Sequence, residues 1–154
     1  VKIAFVYGPM SIGGRPLDFS RLYDDPRGMT GSELSCVEYA RHMARRGHDV
    51  TLYVCQAEAP GLDWAATSAA FDTRYRVRVE FGLGRWELEK SIPYRAADLS
   101  KFWDAICVWN EPDLLRGADP RAVRLVNQQL NDFTYCQPGF ADHVDVFTSP
   151  SAHH

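Results

Sequence analysis

Hydrophobic and polar positions change rhythm several times along the chain, and each change marks an element. "KIAFVY", residues 2–7, is an almost unbroken apolar run, the pattern of a parallel strand covered on both faces. Further on the rhythm becomes helical. Leu34, Val37, Ala40, Met43 and Ala44 recur at spacings of three and four, while Glu38, Arg41 and Arg45 fall mostly on the other side. Thr30 and Glu33 fit a capping box, in which hydroxyl and carboxylate satisfy the free amide donors of a first turn, so this helix is expected to begin near Gly31. Gly47 ends it, after Arg45 and Arg46 at the negative end of the helix dipole. "DVTLYVC", residues 49–55, then alternates as a strand does.

The second half repeats this alternation less cleanly. "APGLDWAATSAAF" fits no single period, whereas "RYRVRVEF" sets Tyr75, Val77, Val79 and Phe81 against arginines and a glutamate, as a half-exposed strand would, with Gly82 and Gly84 closing it. "YRAADLSKFW" reads as helix, "DAICVWN" as a buried strand, "RAVRLVNQQL" as a further strand and "HVDVFTS" as the last. Residues 8–29, rich in Gly, Pro and Asp and without period, form a connection long enough to be a functional lid or a disordered segment. Strands alternating with helical segments predict an α/β fold: a Rossmann-like, doubly wound, mostly parallel sheet. "SPSAHH" follows the last strand as though a helix were about to start on Ser149 or Ser151, so residues 1–154 are expected to be one domain interrupted before its last helix.

Composition narrows the function classes. A chain of 154 residues, 45% hydrophobic, has material for one core. Its formal charge of -3 gives no footprint for nucleic acid, and the local cluster Arg41, Arg45 and Arg46 does not change that expectation. Cys36, Cys55, Cys107 and Cys136 stand singly in apolar stretches, without the close pairs of a zinc or dithiol motif, and read as buried free thiols in a reducing compartment. No stretch approaches a membrane span, and "VKIAFVYG" is too short for a signal peptide. A cytoplasmic location is expected. Peripheral contact of the complete protein with a membrane stays open, although no stretch carries a dense Lys/Arg face.

Candidate chemistry follows from the fold. In open α/β sheets ligands bind beyond the carboxyl ends of the strands, near the point where strand order reverses. That edge is expected to gather Thr30, Gly31 and Ser32 at the helix entrance, Asn110 and Glu111 after "CVW", Asn131 and Asp132 after "LVNQQL", and Ser149 after the last strand. Each also has a plain reading, as a cap, a helix entrance or a strand-ending turn, and the four tryptophans, Trp64, Trp86, Trp103 and Trp109, read mostly as core. Two fingerprints are missing: no G-x-G-x-x-G follows the first strand, and no G-x-x-x-x-G-K-[ST] occurs, which disfavours a dehydrogenase or a P-loop nucleotidase.

With these residues in view, the turn Gly31, Ser32, Glu33 followed by "ARHMARRGHDVTLYV" resembles the N-terminal half of retaining, glycogen-synthase-like (group 1) glycosyltransferases of the GT-B fold, where a G-G-x-E-like turn precedes "LA..L..RGHEVTV". "RLVNQQLND" is similar to the family strand ending in a His-Asp pair, and "VDVFTSPSAHH" to its "D.V.T.S" strand and serine-initiated helix. The likeness spans nearly the whole chain, and its opening helix and closing strand are the specific parts. It implies an acceptor-side domain whose partner is a C-terminal donor domain absent from this chain, so that the chain alone would be inactive. The substrates implied are a nucleotide-diphosphate sugar as donor and a sugar, lipid or small-molecule acceptor, with no further cofactor and no metal. By the same resemblance Thr30, Gly31, Ser32, Asn110, Glu111 and Ser149 would bind substrate, and Asn131 and Asp132 would take the catalytic position. Asn131 stands where the family often has His, and Ser32 where it has a second Gly. Two rival readings are a self-contained, non-catalytic α/β module that binds a small ligand or a protein, and a GT-B-type nucleotide-sugar epimerase.

Overall fold

The computed structural model describes residues 1–9, 11–12, 15–16, 31–55, 64–82, 99–110, 112–129 and 138–149. In chain order the elements are strands β1 (Lys2–Pro9), β2 (Ser11–Ile12) and β3 (Arg15–Pro16), helix α1 (Gly31–Arg45), β4 (Asp49–Cys55), helix α2 (Trp64–Tyr75), β5 (Arg78–Gly82), β6 (Ala105–Trp109), β7 (Val123–Asn127) and β8 (Val146–Thr148). Short 3₁₀ helices at Pro112–Gly117 and Phe140–His143 precede β7 and β8. Six strands form one sheet in the order β5-β4-β1-β6-β7-β8, every neighbouring pair parallel. The chain winds outward from β1 to β5, then returns and winds outward the other way from β6 to β8. This is the Rossmann-like, doubly wound α/β fold, and strand order reverses between β1 and β6.

Burial on both faces explains the unbroken apolar run at the start. Ile3, Phe5 and Tyr7 of β1 point into one core with Val50, Leu52 and Val54 of β4 and with Cys36, Val37, Ala40 and Ala44 of α1. Ala4 and Val6 point the other way, to a second core built on Ile106, Val108, Val126, Leu99, Trp103 and Leu115. Central strands therefore cannot alternate with polar residues; even Thr51 is 1% exposed. At the outer strands the cover thins. Val123 and Val146, on the face that carries α1, are 50% and 39% exposed, so this flank of the sheet presents apolar surface.

Several expectations need correction. In α1 the buried stripe is Glu33, Cys36, Val37, Ala40 and Ala44, rotated from the expected one so that Leu34 is exposed and Met43 only partly buried. The helix does close as read: Gly47 is left-handed (φ 87°), and His48 and Gly47 donate to the Met43 and Ala44 carbonyls, a Schellman cap. From Trp64 on, the ambiguous stretch before Tyr75 is α2, residues 59–63 lying outside the described set; Tyr75 is its last residue, not the start of a strand, because its ring packs on Phe71 at 4.6 Å one turn earlier. The helix expected over residues 94–103 is not present over residues 99–103, which turn instead to bury Leu99 and Trp103; residues 94–98 lie outside the described set. Within the long connection, β1 runs on to Pro9 and β2 pairs antiparallel with β3, so part of it is ordered hairpin. β7 ends at Asn127, short of the expected strand end at Asn131.

Two ion pairs fasten the turns that lead into the outer strands. Arg121 bonds Asp119 and holds that carboxyl down at about 2, while Arg124 on β7 bonds Asp145 just before β8 and lowers it too. A carboxyl whose folded pKa is depressed adds stability above its unfolded pKa, near 4, and loses it as pH falls through the folded value. Urea unfolding at pH 5 and pH 2.5 should therefore show a drop in stability that is smaller in Arg124→Gln than in the parent.

Candidate functional site

Three backbone features converge where the strand order reverses. β1 ends beside β4 with a register irregularity between Tyr7 and Pro9, a bulge of the kind that re-aims a chain at a strand end. α1 opens at Gly31 and brings the positive end of its dipole to the same edge. β6 ends at Trp109, and the next residue, Asn110, is left-handed with φ 59°.

Asn110 is the hub. It is 8% exposed, and asparagine is among the few L residues that tolerate this backbone region. Its backbone N–H donates to the Asn127 carbonyl at 3.1 Å, its Oδ1 accepts the Gln129 backbone N–H at 2.7 Å, and its Nδ2 donates to Ser32 Oγ at 3.4 Å. Gln129 Nε2 in turn donates to Ser35 Oγ at 3.0 Å. Ser32 and Ser35 are three apart on α1 and so share a face. One chain of bonds thus ties the first turns of α1 to the end of β6 and to the segment leaving β7.

The end of β6 also carries two adjacent costs. Trp109 is 1% exposed against Phe5 and Tyr39, and its indole Nε1 is buried without a hydrogen-bond partner, a penalty of about 1–3 kcal/mol. The left-handed backbone of Asn110 comes directly after it. Strain of this kind concentrates at ligand sites because the surrounding structure has to over-determine it.

The expected site residues divide as follows. Ser32 and Asn110 are brought together by a hydrogen bond. Gly31 stands beside Ser32, exposed, and a Cβ added there would meet nothing within 4 Å among the described residues. Ser149 is half-buried at the same carboxyl edge, directly after β8 and two strands across from β6. Thr30, Glu111, Asn131 and Asp132 lie outside the described residues. Ser35 and Gln129 were not picked out by sequence reasoning; the signal for Ser35 was its i+3 spacing from Ser32, while nothing local marked Gln129.

The four side chains of this bond chain, Ser32, Asn110, Gln129 and Ser35, offer hydroxyl and carboxamide groups for hydrogen bonding. Hydroxyls and carboxamides of this kind recognise hydroxylated or phosphorylated ligands and hold them in one orientation. The nearby thiols add no nucleophile. Burial pushes Cys36 well above its usual range, with Cys107 beside it adding to the shift, and burial pushes Cys107 up to about 12, so both stay protonated at neutral pH. Among the described residues no group of three His, Cys, Asp or Glu side chains is placed to hold a metal ion, and no helix is long and apolar enough to cross a membrane.

The fold is a Rossmann-like α/β domain with a hydrogen-bonded cluster of hydroxyls and carboxamides at its switch point. Comparison with protein-family models, with curated proteins and with solved structures gives no match to this chain.

Replacing Asn110 by Ala leaves the half-buried Gln129 backbone N–H without its acceptor and keeps the left-handed backbone, so urea unfolding should show a loss of about 1–3 kcal/mol. Asn110→Gly removes the same bonds but relaxes the backbone, and should cost less.

Proposed function

We propose that this chain is the acceptor-side domain of a nucleotide-sugar-dependent retaining glycosyltransferase. The observation that carries the proposal is the bond chain Ser32–Asn110–Gln129–Ser35 at the switch point, next to the N-terminus of α1. Its polar groups suit the hydroxyls of a sugar, and the helix end suits a phosphate. Among the described residues no atom lies within 4 Å of a Cβ added at position 31, and in this proposal the glycine there serves the close approach of a ligand to the backbone. The exposed apolar flank around Val123 and Val146 further supports a domain that works against a second one over a self-contained binding module.

In the proposed reaction this domain orients the acceptor hydroxyl, through Asn110 and Ser32, toward the anomeric carbon of a donor held mainly by the second domain. The α1 N-terminus helps offset the charge of the departing nucleoside diphosphate. Thr30, Glu111 and Ser149 complete the substrate contacts in this proposal, and Asn131 and Asp132 stand next to the reacting groups.

The test is turnover by the full-length protein with a panel of nucleoside-diphosphate sugars and acceptors, the anomeric configuration of the product being read by NMR. Transfer with retention is expected, and Asn110→Ala should lower kcat/KM by about tenfold or more, the kinetic equivalent of one lost hydrogen bond. Gly31→Ala should leave thermal stability equal or slightly higher while weakening donor binding. Release of a free epimerised sugar would transfer the assignment to an epimerase. Absence of turnover, together with tight binding of a small ligand by this chain alone, would overturn the enzyme reading in favour of a binding module.

A further inference from the structure

At the edge of the sheet opposite the candidate site, the ends of both helices and the starts of two strands enclose a cavity of about 310 Å³, lined chiefly by Gly47, His48, Asp49, Asp72, Arg76 and Arg78. Its two helices close in the same way, with a left-handed residue after the last turn. In α1 that residue is Gly47 (φ 87°), the expected choice; in α2 it is Arg76 (φ 59°), whose N–H caps the Asp72 carbonyl at 2.7 Å. An arginine held where glycine belongs is strained, and strain kept in a cavity wall points to a use for the side chain.

The charges there are unequally engaged. Asp49 is neutralised by Arg78, whose Nη2 lies 2.6 Å away, and Arg78 also donates through Nε and Nη2 to Thr51 Oγ1, which leaves its Nη1 unused. Among the described residues the Arg76 guanidinium and the His48 imidazole have no hydrogen-bond or ion-pair partner. Asp72 is the one lining carboxylate that no arginine engages, and exposed Arg45, Arg46 and Arg74 flank the same two helix ends. Five arginines thus stand against two aspartates on a chain whose net charge is -3. The carbonyls of His42, Met43, Ala44 and Asp72, which point this way, are already taken by backbone donors.

We propose that this cavity binds a phosphomonoester dianion, gripped by Arg76 and by the free edge of Arg78, with His48 as a third donor. Arginine's planar fork matches phosphate oxygens in pairs. The cavity exceeds the size of phosphate itself, so the ligand carries an organic group. The phosphomonoester comes either from a soluble metabolite or from a lipid headgroup. The site is independent of the one at the carboxyl edge.

Arg76→Gly is the variant of choice because it removes the guanidinium and relieves the backbone at once, and so should fold at least as well as the parent. Calorimetric titration at fixed ionic strength with glycerol 3-phosphate should show saturable binding by the parent chain, weakened at least tenfold in Arg76→Gly with an equal or higher Tm. Flotation with phosphatidylcholine vesicles, with and without phosphatidic acid, separates the sources. Binding of glycerol 3-phosphate in solution assigns a soluble ligand; binding only to phosphatidic acid vesicles, lost in Arg76→Gly, assigns a headgroup. The proposal is overturned if the parent binds neither, or if Arg76→Gly binds as the parent does. A lower Tm in Arg76→Gly with unaltered binding would make the arginine a partner of the helix dipole alone.

Discussion

A parallel sheet buried on both faces constrains everything else in this molecule. β1 lies at its centre with β4 and β6 on either side, and each residue of β1 from Ile3 to Tyr7 is buried, so no polar side chain has a place along the strand. Backbone bonding is completed within the sheet, and the connections are carried over its faces. Polar groups are thereby driven to the two ends of the strands. At the carboxyl end the winding reverses between β1 and β6, and it is there that Asn110 gathers Ser32 and Gln129.

Asn110 shows how a binding edge is held in place. A flexible loop residue in this position would position nothing. Here a buried carboxamide, made to project by a left-handed backbone, satisfies a donor from the β7 side and reaches a hydroxyl on α1. The helix entrance, the end of β6 and the departure of β7 are thereby bonded to one another. Rigidity of this kind is what a site needs if it is to discriminate among hydroxyls of similar chemistry.

Most of the fold was legible in the sequence because buried parallel strands and capped helices leave strong local marks. The run before Gly8, the α1 face ending at Gly47, and the short apolar strands ending at Trp109 and Asn127 all carry such marks. Errors arose where tertiary packing overrode local pattern. Tyr75 alternates with Val77 and Val79 as a strand residue would, but its ring packs on Phe71 and completes a helix. Leu34 has the spacing of a core residue, yet the rotation of α1 against the sheet buries Glu33 and Cys36 instead. For the site, the edge rule selected Ser32 and Asn110 correctly as neighbours, since it depends only on topology. It missed Gln129, whose role arises from a long-range bond to Ser35 that no local pattern encodes. The left-handed turn at Arg76 was likewise invisible, because an arginine in sequence gives no sign of the backbone it occupies.

Recognition of sugar hydroxyls and phosphate at the carboxyl edge of the sheet is the step on which the proposed function rests. Backbone-amide NMR of the isotope-labelled chain, titrated with candidate acceptor sugars and with nucleoside diphosphates, tests it most directly. The largest shift changes should fall on Gly31, Ser32, Asn110 and Gln129 and should saturate together. Saturable shifts confined to residues elsewhere in the fold, or none with any of these ligands, would contradict it.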